Sequence, residues 1–131
     1  MIEKQVLVPD RVRRPPHEGW SWIDRRFLRE HAPRLSHEAI FVYLFLAAVS
    51  DQKGLSFYSD ASIAVRLRMG EQAVVRARDE LVREDLVAYR APLTQVLSLP
   101  DRNRVGRGGL TSLSEMFRSM TQASRTTGRQ P

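Results

Sequence analysis

A chain of 131 residues with a formal charge of +6, a pI near 10.7 and no cysteine is one domain plus tails, large enough to bury a modest core without staples. The missing thiols exclude a disulfide framework and a thiolate metal site. The positive balance favours a polyanionic partner, or else merely keeps a basic protein dispersed.

Residues 1–19 form an extended basic arm without helical period. Gln5-Val6-Leu7-Val8 reads as a short strand or a packed extended segment, and Arg11-Val12-Arg13-Arg14-Pro15-Pro16 is held extended by its prolines. Arg13 and Arg14 either track phosphates, as basic arms do, or belong to a solvated leader. No apolar run follows the charges, so the arm is not a signal peptide. The basic excess lies before Ser36 and after Leu99. Between them acids equal bases or slightly exceed them.

A helix is expected from Trp20 or Ser21 to about His31, with Trp22, Ile23, Phe27 and Leu28 on one face. That face reads as core, Trp20 being either core or a dimer contact, and Pro33 ends the helix. Ser36 caps the next, roughly His37 to Asp51. Its run from Ala39 to Val49 is uncharged and apolar nearly all round. A bilayer takes about 20 such residues, so no membrane span is expected. Such a helix is buried on most sides, and any side the monomer leaves open is a homodimer surface. Lys53-Gly54 stops it, and Leu55 to Tyr58 reads as a small strand.

Ser59 caps a short helix with Ile63, Ala64 and Leu67 on one face. Met69-Gly70 makes a turn, with Gly70 free to take a positive φ. A second helix presents Val74, Ala77 and Leu81 to the core, with Val82 as a further candidate, and Asp85 breaks it. Leu86 to Tyr89 and Gln95 to Leu99 read as strands around a turn at Pro92, Leu93 and Thr94. The expected fold is mainly α with a small β-hairpin, in the order helix-helix-strand-helix-helix-strand-strand. It is a winged helix-turn-helix over residues 20–99 with basic flexible tails. Residues 100–109 read as a linker, and residues 110–120 as a short amphipathic helix with Leu110, Leu113, Met116, Phe117 and Met120 in a stripe. Alone it is marginal in water, so it docks on its own domain, a second copy or a protein partner. Residues 121–131 read as a disordered tail.

Leu35 to Leu99 resembles bacterial winged-helix regulators of the GntR kind and the N-terminal domains of DnaD-type replication initiation proteins. The shared positions are Met69, Val74, Ala77, Leu81, Leu86 and Val87. The resemblance implies duplex DNA binding, often as a dimer. Two family arginines are replaced here by Glu71 and Val75, so their contacts do not carry over. The family's loop glycine is Asp85, a residue that tolerates left-handed backbone.

On the outer face of the second helix stand Gln72, Ala73, Arg76, Asp79, Glu80 and Arg83. Gln72 and Arg76 lie one turn apart, and their side chains suit adenine and guanine in bidentate geometry. Arg66 and Arg68 are placed for flanking phosphates, as is Arg90 at the wing. Arg78 reaches either a backbone or a carboxylate such as Asp79 or Asp60. The alternative for all of them is a solvated face with ion pairs worth a few tenths of a kcal/mol. The wing tip Ala91-Pro92-Leu93-Thr94 is uncharged, which suits packing on protein better than probing a minor groove. His17, His31 and His37 lack metal-ligand spacing, and no phosphate loop or nucleophile motif occurs, so neither catalysis nor a cofactor is expected. The expected function is double-stranded DNA binding by a cytoplasmic, nucleoid-associated protein. It would be a small transcriptional regulator or an accessory factor in replication or of a mobile element. The alternatives are a protein-interaction module, or a single-stranded nucleic-acid binder that stacks bases on Trp20 and Trp22.

Overall fold

The computed structural model describes residues 2–100. The expectations for residues 101–131, including the 110–120 helix and most of the linker, lie outside the described residues. Helix α1 spans His37–Val49, α2 Asp60–Leu67 and α3 Glu71–Arg83. Strands β1 (Leu55–Ser56), β2 (Val87–Arg90) and β3 (Leu93–Val96) form an antiparallel sheet in the order β1-β3-β2. The register pairs Leu55 with Gln95 and Val87 with Val96. The result is a small α+β domain in which helix, strand, helix, helix, strand and strand follow one another as expected from Ser36 onward.

The helix expected from Trp20 starts later. Backbone through Asp24 is not helical; helix begins at Arg25 and continues as a π-helix, Phe27–His31, and a 3-10 turn, Ala32–Arg34. Asp24 sets the start, since its carboxylate accepts the Arg26 N–H at 2.9 Å and pairs with the guanidinium at 2.7 Å. Pro33 has no N–H to return to the preceding turn. The Ala32 N–H instead bonds the Phe27 carbonyl, five residues back. This short helix buries only Phe27 and His31. Trp22 and Leu28, expected in the core, are 71 % and 63 % exposed, and Ile23 is also exposed. Gln5 to Val8 is not a strand.

Phe27 lies flat on Tyr43 of α1, centroids 4.0 Å apart, and burial pushes the Tyr43 phenol up from its ordinary pKa. Around this pair Val42, Leu46, Val74, Leu81, Leu86 and Val87 are fully buried. Helix α1 meets α3 across this core and keeps one strip open, with Phe41 57 % exposed and Ala48 exposed.

The two helix ends use left-handed residues differently from expectation. Arg68, not Gly70, takes the positive φ (59°) and closes α2, its N–H reaching the Ala64 and Val65 carbonyls. Gly70 has extended backbone and stands immediately before α3. Asp85 is left-handed at φ 63°, as its place after the helix suggested. There the Leu86 N–H returns to the Leu81 carbonyl at 3.0 Å, the bond that ends a helix of this kind. Gly54 has φ +85°, and its carbonyl accepts the Val96 N–H at 2.8 Å. A Cβ there would overlap the Val96 carbonyl, so the approach of the loop to β3 requires glycine. The strands of the hairpin turn at Ala91-Pro92, which starts β3 at Leu93 rather than Gln95. Among the described residues, no helix is long and apolar enough to cross a membrane.

Candidate nucleic-acid interface

Helix α3 divides cleanly by its 3.6-residue period. Val74, Ala77, Arg78 and Leu81 are buried, while Glu71, Gln72, Arg76, Asp79 and Arg83 are exposed, as is Val82, a core candidate from the sequence. Gln72 and Arg76 therefore share an outward face, as their spacing implied. Arg83 continues that face two turns further along. Neither Arg76 nor Arg83 has an ion-pair partner among the described residues. The face also carries Glu71 and Asp79, so its formal charge is balanced rather than basic.

Arg78 leaves the outward set. It is only 6 % exposed, its guanidinium bonds the Asp60 carboxylate at the start of α2, and it lies over the Tyr89 ring of β2 at 4.1 Å. Its place among the buried positions of α3 brings it to the junction of α2, α3 and the hairpin. It serves there as a structural tie and cannot meet a phosphate. Of the two alternatives read from the sequence, the carboxylate is the one reached.

Glu80 also leaves the outer face. Its carboxylate accepts the Ser36 N–H at 2.8 Å and the Ser36 hydroxyl at 2.7 Å, and that hydroxyl accepts the Ala39 N–H at 3.1 Å. A side chain of α3 thus completes the cap of α1, 44 residues away in sequence. An anion at that helix start complements the dipole. Arg76 and Arg83, one turn before and one after Glu80, line an open groove of about 440 Å³ with Glu80 and Ser36. Nothing in the local sequence signals this bond, because it depends on how α1 and α3 pack.

The remaining candidates lie on other elements. Arg66 is exposed on α2, with Nε on the Ser62 hydroxyl at 3.2 Å and its guanidinium 5.5 Å from the Tyr58 ring. Arg68 is exposed at the α2–α3 turn, and Arg90 is exposed at the end of β2. Arg13 and Arg14 are exposed on the extended arm. Gln72, Arg76 and Arg83 are thus brought together on one helix, and the structure gives no contact linking them to Arg13, Arg14 or Arg90. Arg34 meets Glu84 at the end of α3 at 3.7 Å, an exposed pair that contributes little.

Two further features were hidden from the sequence. The Ser21 hydroxyl bonds the Ala47 carbonyl at 2.5 Å and lays the segment around Trp20 and Trp22 along α1. Phe57 is 70 % exposed and shares a shallow surface with Leu93 and Val49 beside the β2–β3 hairpin. Among the described residues, no group of three or more acids, histidines or cysteines is placed to hold a metal ion. No protein-family model matches the chain, no curated protein is significantly similar to it, and no solved structure matches it.

Proposed function

We propose that the domain is a winged helix that binds double-stranded DNA, inserting α3 in the major groove with Gln72 and Arg76 toward the base edges. One observation carries the reading: Gln72 and Arg76 lie together on the solvent face of a helix whose opposite face is fixed in the core. The order of elements and the three-stranded antiparallel sheet support the winged-helix assignment. In this reading Arg66, Arg68 and Arg83 meet flanking phosphates, Arg90 meets the backbone at the wing, and Arg13 and Arg14 follow it from the arm. The protein acts as a small regulator, or as an accessory factor in replication or of a mobile element, on the nucleoid. Because Glu71 and Asp79 balance the helix charge, base contacts matter more to affinity here than in a uniformly basic helix.

Fluorescence anisotropy on duplex DNA over a salt series tests this. Binding should weaken with salt, and Arg83→Ala should reduce the salt slope by about 1 by removing a phosphate contact. Gln72→Ala should instead relax sequence preference at one base pair, at a cost of about 1 to 3 kcal/mol. Absence of duplex binding even at low salt overturns the reading. A second reading has its own support: Phe57 and Leu93 leave an apolar surface beside an uncharged wing, which suits a protein partner.

A further inference from the structure

We propose that residues 110–120 of the same chain pack on the open strip of α1, against Trp20 and Trp22. The strip is formed by Phe41, Leu44 and Ala48, spaced three and four apart so that they share one side of the helix. Trp20, Trp22, Leu44 and Ala48 line a shallow groove of about 270 Å³ beside it. Trp20 is 64 % and Trp22 71 % exposed, and Phe41 is 57 % exposed. An open apolar surface of this kind marks an interaction site.

Three observations select the occupant. The first is where the described chain ends. Leu97, Ser98 and Leu99 line a second groove that shares Ser21, Trp22 and Ala47 with the first, so the described chain ends next to the tryptophan segment that edges the strip. The second is reach. The ten residues from Pro100 to Leu110 span at most about 33 to 36 Å, longer than the 13-residue α1 at about 20 Å. The third is chemistry. Leu110, Leu113, Met116, Phe117 and Met120 fall on one side of a helix, and Glu115 and Arg118 cancel, matching an uncharged strip. Ser21, held to the Ala47 carbonyl, keeps the two tryptophans at the edge of the groove. This inference is independent of the DNA-binding reading, since α3 lies on the other side of α1's buried face.

Trp20 and Trp22 are the chain's two tryptophans, so their fluorescence reports on the groove. In the full chain, emission should be blue-shifted and poorly quenched by acrylamide. Phe117→Asp combined with Met116→Asp should shift it to the red and restore quenching, with the far-ultraviolet signature of residues 2–100 retained. Ala48→Cys with Met116→Cys, in a chain otherwise free of cysteine, should form a disulfide within one molecule. Tryptophans that quench freely in the unaltered chain overturn the proposal. So does a disulfide that forms only between molecules, which would assign the strip to a second copy. Quenching by a single-stranded oligonucleotide that the Asp variants do not strengthen also overturns it, because a covered groove must compete with stacked bases.

Discussion

Arg78 and Arg76 are two residues apart on one helix and have opposite fates. The 200° between them places one guanidinium against Asp60 and Tyr89 and the other in solvent. Arg78→Ala should lower stability by about 1 to 3 kcal/mol, because it empties a packed site and takes the partner from a carboxylate that is still one-third exposed. Denaturant unfolding measures this, and under the proposed DNA-binding reading the folded fraction of the variant should bind duplex as the unaltered chain does. Arg68 gives the converse case. It holds a left-handed conformation that costs a non-glycine residue about 1 to 2 kcal/mol. Arg68→Gly should therefore raise the melting temperature and, under the proposed DNA-binding reading, weaken duplex binding. A variant that is more stable and binds as before would remove Arg68 from the interface.

At the scale of elements, the bond from Glu80 to Ser36 makes α3 and α1 a joint structure. Glu80→Ala should cost about 1 to 2 kcal/mol by leaving the Ser36 groups and the helix start without their acceptor. The same substitution removes the carboxylate between Arg76 and Arg83, so under the proposed DNA-binding reading duplex binding should tighten and its salt dependence steepen. What was legible in the sequence were the elements whose signals are local. Ser36 and Ser59 mark two helix starts, Asp85 marks a helix end, and the apolar spacing of Val74, Ala77 and Leu81 marks the inner face of α3. The segment before α1 was misread because its apolar spacing is helical while Asp24 and Pro33 leave room for only a short, widened helix. Asp24 was itself a start signal, outweighed by the run of aromatics before it. Arg78 and Glu80 look alike in sequence to the solvated charges of α3, and only packing separates them.

For the molecule as a whole, acid should act through two carboxylates at its turns. Hydrogen bonds and the charge of Arg26 hold Asp24 down at about 2, and the Leu55 and Lys53 N–H groups lower Asp51. Each has a folded pKa below its unfolded value. Its contribution is therefore complete above the ordinary carboxylate range, near pH 4, and is lost as pH falls through the depressed value. Stability followed by circular dichroism should be flat from neutrality to about pH 5 and fall toward pH 2. Asp24→Asn should flatten the lower part of that fall. An unchanged profile in this variant would show that the turn at Arg26 does not depend on the charge. The three segments also divide the electrostatic work: the domain core is balanced, and the positive excess lies on either side of it.

The guanidinium that joins Asp60, α3 and Tyr89 spans a helix, its successor and a strand at one point. Those three parts cannot shift separately without breaking that knot. The outward row of Gln72, Arg76 and Arg83 is consequently a fixed template, so a partner that docks on it has to supply the adjustment itself.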